Sequence, residues 1–159
     1  MGCLLQLRKR PISVTFSLEK ATQIWVVISG NYSTAGGGAV LRNHKGNWME
    51  GCSFSFHANN PLEAELTALY LALQWTTTKG IIDMEIQSDC KELTKRLNEN
   101  SRGGNNMGQL GIKCRELIRK SGNFSLVHIF HEQNTVADYL AKHGCNSREI
   151  MTLFVSPPP

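Results

Sequence analysis

The sequence predicts a single α/β domain in which helices flank a mixed five-stranded sheet. Three strand patterns come first, and helix patterns separate the later strands. Strands joined by short turns form an antiparallel meander, whereas strands joined through helices run parallel. The length of 159 residues suffices for one core and is short for two. We therefore expect a poorly ordered lead-in over 1–22, one domain over 23–145 and a tail over 146–159.

Composition and cysteine usage are those of a soluble intracellular protein. Hydrophobic residues make up 41% and charged residues 19%, which indicates neither disorder nor a membrane protein. The formal charge of +4 permits a polyanionic partner without requiring one. The five cysteines are scattered without a C-x-x-C pair, which favours a nuclear or cytoplasmic location, with neither a disulfide framework nor a zinc site.

The first residues leave two targeting alternatives open. Residues 1–18 contain no acid and carry Arg-Lys-Arg at 8–10, as an organellar transit peptide could. The N-terminal Met-Gly-Cys is typical of acylated proteins, but Gln6 stands where the myristoylation pattern requires Ser or Thr. We favour a poorly ordered lead-in over both.

The first three strands follow from apolar runs and turn chemistry. An apolar run with β-branched residues over 24–28 predicts a buried strand, and 36–42 predicts a second strand with a glycine-rich entry. Residues 43–47 form a turn in which Gly46 suits a positive φ. The pattern resumes over 48–56 as a third strand, which completes the meander.

The first helix and the fourth strand come next. Asn60 and Pro61 are typical of a helix start, and the helix is expected to run to about Thr77 before Lys79 and Gly80 end it. Apolar and polar residues then alternate over 81–87, which predicts a strand with one solvated face.

Helices dominate the remaining chain. Asp89 and Glu92 have capping-box spacing for a second helix that runs to about Asn98. After a loop rich in Asn and Gly we expect a third helix over 112–120, a fifth strand over 124–130 and a last helix. That last helix is predicted from Asn134 to Lys142, with His143 and Gly144 stopping it.

The first helix carries an acid close to its apolar stripe. At about 100° per residue, Leu62, Leu66, Leu69 and Leu73 share one face, and Glu65 falls about 40° from Leu69. Glu65 is therefore expected at the rim of the core. A half-buried carboxylate needs a cation, a metal or hydrogen-bond donors, and the alternative is a side chain that reaches water.

Other polar residues occupy related places at strand ends and helix starts. Carboxylates gathered there would suit Mg²⁺ or Mn²⁺, and a neighbouring histidine could move a proton. Each residue also has an ordinary interpretation: a helix cap, a surface acid, a core histidine or an exposed one. The set consists of Glu65, Asp89, His128, His131, Asn134 and Asp138.

Four motifs closely resemble the ribonuclease H-like domain common in plant genomes, which is often derived from retroelement reverse transcriptases. They span residues 24–144 and read GGGAVLRNHKGNW, NNPLEAELTALYLALQW, IQSDCKEL and VHIFHEQNTVADYLAKHG. The resemblance implies a type 1 ribonuclease H fold. It also implies a site in which four acids bind two Mg²⁺ ions and cut the RNA strand of an RNA–DNA hybrid, with Mn²⁺ as a second candidate.

The resemblance also implies roles for individual residues. Glu65, Asp89 and Asp138 match metal-binding acids, and the region of His128 and His131 matches the catalytic histidine, with spacing to Asp138 favouring His128. Asn134 matches an asparagine near the substrate groove. The expected partner is an RNA–DNA hybrid or another duplex, read through the backbone and 2′-hydroxyls, by a monomer with no membrane contact and no small-molecule cofactor.

One position departs from the family pattern. The first strand of the family ends in D-G, and its Asp bridges both metals, whereas this chain has Ser29 and Gly30. No acid occurs between Glu19 and Glu50 that could replace it. Two dications that lose a bridging carboxylate repel each other more strongly, so we expect impaired cleavage. The alternative is an inactive nucleic-acid-binding or scaffold domain that retains only the fold.

Basic residues on two predicted helices could contact a phosphate backbone, although a solvated helix face is the commoner meaning of such charge. The residues are Lys91, Lys95 and Arg96 on the second helix, and Lys113, Arg115, Arg119 and Lys120 on the third. Together with His131 and Asn134, the cluster on the second helix forms the predicted nucleic-acid contact.

Overall fold

The computed structural model describes residues 4–6, 23–30, 35–81, 83–88, 90–99, 108–120, 122–128 and 135–159. The strands are β1 (Leu4–Gln6), β2 (Gln23–Gly30), β3 (Ala35–Arg42), β4 (Trp48–Phe56), β5 (Asp83–Ser88), β6 (Asn123–His128) and β7 (Met151–Phe154). The helices are α1 (Pro61–Thr78), α2 (Lys91–Asn98), α3 (Gly108–Lys120) and α4 (Thr135–Asn146).

The strands form one mixed sheet in the order β6-β5-β1-β2-β3-β4-β7. Neighbours from β2 to β7 pair antiparallel, while β5 runs parallel to both β2 and β6. The predicted antiparallel meander followed by helix-connected parallel strands is thereby confirmed. The five predicted strands are all present.

The sheet contains two short strands that the sequence analysis missed. Strand β1 lies within the segment expected to be a poorly ordered lead-in, and β7 lies within the expected tail, where it pairs with β4. Strands of three and four residues are too short to show a hydrophobic period. Their place in the sheet depends on distant partners, which local sequence does not encode.

Turn and cap residues behave at the start of the fold as their chemistry predicts. The Asn60 side chain accepts a hydrogen bond of 2.9 Å from the Glu63 N–H and so caps α1. Gly46 in the β3–β4 turn and Gly80 after α1 have φ values of 82° and 65°. A left-handed backbone is cheap only for glycine, so these two positions end their elements as expected.

The predicted capping box of α2 is wrong. The N-cap of α2 is Cys90, which makes no side-chain capping bond, and Asp89 lies outside the described residues. Glu92 therefore lies one residue too early for the box, and its carboxylate instead accepts a hydrogen bond from Arg96. The Ser88 hydroxyl accepts a bond of 3.0 Å from the Cys90 N–H and shapes the strand-to-helix junction.

The predicted stop of α4 at His143 and Gly144 is also wrong, because the helix continues to Asn146. Gly144 is buried, and a Cβ built on it would lie 2.2 Å from the carbonyl oxygen of Phe54 on β4. The glycine is therefore a packing residue that lets the helix backbone touch the strand. A glycine near a helix end is ambiguous in sequence, since packing and termination both favour it.

Helices α1 and α4 cover opposite faces of β3. A Cβ at Gly37 would meet the Ala68 side chain of α1, whereas Cβ atoms at Gly36 and Gly38 would meet the α4 backbone. Successive strand residues point to opposite faces, so the alternation assigns one helix to each side. Helix α3 packs on α1, and the larger core lies on the α1 face.

Candidate metal and nucleic-acid site

Glu65 is more deeply buried than its helical position predicted. Its side chain lies on α1 among core residues and is 6% exposed, so the alternative in which it reaches water is wrong. The stripe that pulls it inward is formed by Leu66, Leu69 and Leu73, all 2% exposed or less. A buried carboxylate requires compensation by charge or by hydrogen bonds, which makes Glu65 the strongest described candidate for an ion-binding group.

The carboxyl ends of β5 and β6 lie side by side. Ser88 on β5 is in register with His128 on β6, and Ser88 is fully buried. His128 is exposed, which contradicts its alternative interpretation as a core histidine. Asp89 follows Ser88 directly in the sequence but lies outside the described residues. The registered pair shows that the S-D motif and His128 belong to the same edge of the sheet.

Asp138 lies in the first turn of α4 and is partly exposed. Its Oδ2 atom is 2.7 Å from Nζ of Lys142, one turn further along the helix. Such an exposed pair contributes little to stability, so the lysine can yield to a stronger cation. The interpretation of Asp138 as a surface acid and its role as a metal ligand are both compatible with this geometry.

Ser29 is a residue of β2, opposite Gly36 of β3. Only the backbone of β2 is described, so its strand position is the whole of the observation. The predicted residues His131 and Asn134 lie outside the described residues.

The chemistry of the described donors suits a hard cation. Glu65 and Asp138 supply carboxylate oxygens, which Mg²⁺ and Mn²⁺ prefer. The described residues, which exclude Asp89, contain no group of three or more His, Cys, Asp or Glu that could hold a metal ion. Glu65, Asp138 and Asp89 are therefore the residues that would hold Mg²⁺, and the ion would supply activation of a water molecule.

The described cysteines are poor metal ligands because burial keeps them protonated. Burial raises the pKa of the Cys114 thiol to about 12, and it also raises the pKa of Cys90, which is the N-cap of α2. A thiol binds metal as the thiolate, so both groups are unsuited to that role at neutral pH. Carboxylates are left as the relevant ligands.

The basic residues of α2 and α3 differ in their roles. Lys91 and Lys95 are exposed on α2 and are available to a phosphate backbone. Arg96 pairs with Glu92, and the Arg115 guanidinium donates to the backbone carbonyls of Arg96 and Glu99, so that it ties α3 to the end of α2. Two of the predicted basic residues are thus engaged in holding the helices together.

A cleft of about 980 Å³ opens between α2, α3 and β6, and sequence analysis gave no sign of it. No single motif encodes the cleft, because three separated segments form its walls. Its lining includes apolar residues and two arginines: Leu97, Ile112, Phe124, Leu126, Arg115 and Arg119. Among the described residues, no helix is long and apolar enough to span a bilayer.

Comparison with known proteins decides the family. The profile of the family described as "Reverse transcriptase-like" matches residues 26–144, which is most of the chain. The chain belongs to the reverse transcriptase-like family. This reverse transcriptase-like domain is 27% identical over 115 residues to an Arabidopsis thaliana protein named "Putative ribonuclease H protein". The match covers 72% of the domain and 18% of that relative, so the domain spans less than a fifth of its length.

Solved structures show the same fold. Ribonuclease H1 of the archaeon Halobacterium salinarum superposes with a TM-score of 0.66 at 23% identity, covering 74% of this domain and 91% of that chain. LC11 ribonuclease H1, solved in complex with an RNA/DNA hybrid, gives a TM-score of 0.63 at 24% identity, covering 74% and 90%. The reverse transcriptase-like domain therefore has the ribonuclease H fold, as the four motifs implied.

Proposed function

We propose that this domain binds RNA–DNA hybrids and carries a hybrid-directed ribonuclease site in which cleavage is impaired. The family match over residues 26–144 carries the proposal, because it spans the motifs that supply Glu65, Asp89, His128 and Asp138. The buried carboxylate of Glu65 supports it, since a core of this kind tolerates a charge only with compensation. The solved relative that is bound to an RNA/DNA hybrid supports the substrate class.

The proposed impairment rests on Ser29. A serine hydroxyl supplies no negative charge between two dications, so at least one ion would bind weakly. Glu65, Asp89 and Asp138 would hold the metal, with Mg²⁺ as the proposed ion and Mn²⁺ as a substitute, while His128 would accept or donate a proton. We also propose a retroelement origin in a plant genome and a nuclear or cytoplasmic location.

A hybrid-cleavage assay tests the proposal. We expect slow cleavage of a labelled RNA–DNA hybrid by the wild type in Mg²⁺, and an increase of at least about tenfold with Ser29→Asp, since a charged ligand is restored. Asp89→Asn should remove the residual activity. Robust wild-type cleavage that Asp89→Asn abolishes would contradict the impairment, while cleavage unaffected by Asp89→Asn would contradict the site.

A catalytically inactive binding domain is the second candidate. The pairing of Asp138 with Lys142 favours it, because a cation of the chain already neutralises one candidate ligand. Under this alternative, Ser29→Asp leaves cleavage absent while hybrid affinity persists.

Hybrid affinity is tested through its salt dependence. Lys91→Ala and Lys95→Ala should each weaken binding and reduce the slope of log K against log salt by about one. Lys45→Ala is the matched control, since Lys45 is an exposed lysine in the β3–β4 turn and lies away from α2. Affinity that does not change between low and physiological salt would refute the electrostatic contact.

A further inference from the structure

Strands β2 and β5 pair directly over only part of their length. Their parallel ladder ends at Trp25 and Gln87. Beyond that point β1 lies between them, where Leu5 is in register with Val26 on one side and with Ser88 on the other. The two strands therefore fork, and β1 occupies the fork through antiparallel pairing with both.

The fork lies at the candidate site. On β2 it precedes Ser29, and on β5 it ends at Ser88, which Asp89 follows in the sequence. Neighbouring strands are about 4.8 Å apart, so two strands separated by a third are about 10 Å apart. Paired metal ions lie about 4 Å apart and bind oxygen at about 2 Å, so they require ligands from strands that are close together.

The pairing register also shows what would replace β1. Continuation of the parallel ladder past Trp25 and Gln87 would bring Val26 next to Ser88, and both backbones would remain hydrogen-bonded. Antiparallel pairing is slightly more stable per residue than parallel pairing, which favours inserted β1 in the absence of an ion. A strand of three residues makes few bonds, so a ligand for the closed sheet can displace it.

We propose that β1 is an autoinhibitory strand whose insertion between β2 and β5 holds the metal-binding positions apart. This inference rests on the proposed function, because it describes regulation of the same site. Metal binding and insertion of β1 exclude each other, so divalent ions shift the protein toward the closed sheet. Conversely, any change that weakens β1 tightens metal binding by the same free energy.

The test removes β1 pairing in the full chain with Leu5→Pro, since proline cannot donate to a ladder. Titration of Mn²⁺ alone, followed calorimetrically, should show an affinity at least about tenfold higher than the wild type. The matched control is Leu153→Pro in β7, which is equally short but lies at the far edge of the sheet and should leave the affinity unchanged.

A backbone measurement accompanies the titration. In the wild type, nuclear Overhauser effects should connect Leu5 with both Val26 and Ser88, and in Leu5→Pro they should connect Val26 directly with Ser88. Leu5→Gly weakens the strand less and should give an intermediate Mn²⁺ affinity, so it provides the test if the proline variant fails to fold. A wild type without the contact between Leu5 and Ser88 overturns the proposal.

The outcomes separate regulation from function. Tighter Mn²⁺ binding by Leu5→Pro without hybrid cleavage supports the inhibitory strand and refutes the ribonuclease activity. Equal Mn²⁺ affinity in the wild type and both Leu5 variants overturns the inhibitory strand, even if all three cleave the hybrid. An equal gain in Leu153→Pro also overturns it, because the effect would then reflect general loosening of the sheet.

Discussion

The two faces of β3 carry the two described acidic ligands by different physical means. On the α4 face, Gly36 and Gly38 leave no side chain between strand and helix, so the backbones touch and fix α4, which carries Asp138. On the α1 face, leucines, aromatics and Met84 fill the space and hold the helix that carries Glu65. One face is set by steric exclusion and the other by hydrophobic packing, so they should tolerate change differently.

The contact of β3 with α4 should be the easiest to break. Gly36→Ala places a Cβ 2.2 Å from the Ala141 carbonyl oxygen, and no rotamer relieves a clash between backbones. We expect the free energy of unfolding to fall by about 4 kcal/mol, measured by urea denaturation. Gly37→Ala is the matched control, since its Cβ would lie 3.2 Å from the Ala68 methyl group, and its cost should stay below about 1 kcal/mol. Equal costs would refute the distinction between the faces.

The α1 face should respond to lost volume rather than to added volume. Leu69 is fully buried, and Leu69→Ala should lower the free energy of unfolding by about 3 kcal/mol through lost burial and a cavity. Leu69→Met keeps the volume and should cost less than about 1.5 kcal/mol by the same denaturation measurement. A methionine as costly as alanine would show that this face is also sterically exact.

A single polar contact on the α4 face gives the smallest effect. The Ser53 hydroxyl is buried and donates to the Leu140 carbonyl oxygen of α4 at 2.7 Å. Ser53→Ala should cost about 1 kcal/mol, because the carbonyl loses a partner in a dry interface. The control is Ser55→Ala on the same strand, where the side chain is only half-buried and the change should fall within about 0.5 kcal/mol. Equal values for the two variants would mean that backbone contact alone docks α4.

Elements with a clear period or special turn chemistry were predictable from sequence. The apolar stripe of α1, its Asn60 cap and the glycine turns at 46 and 80 are local signals, and each appears in the fold as expected. The motif order also predicted the family and its mixed sheet. These features depend on neighbours within a few residues, so one stretch of chain carries all the information.

Errors occurred where one residue type serves two purposes. Gly144 fits a helix stop in sequence, yet it packs inside α4 against Phe54. Asp89 and Glu92 fit a capping box, yet α2 starts after Cys90. Local rules give both answers in each case, and the tertiary neighbour decides between them.

The sequence by itself determined the family, the order of the elements and the missing acid at Ser29, because each is written in adjacent residues. Only the tertiary structure decided the full burial of Glu65, the registration of Ser88 with His128 and the insertion of β1 between β2 and β5. Strand pairing joins residues that are distant along the chain, and a three-residue strand has no period of its own. The spacing of the candidate site is therefore a property of the assembled sheet.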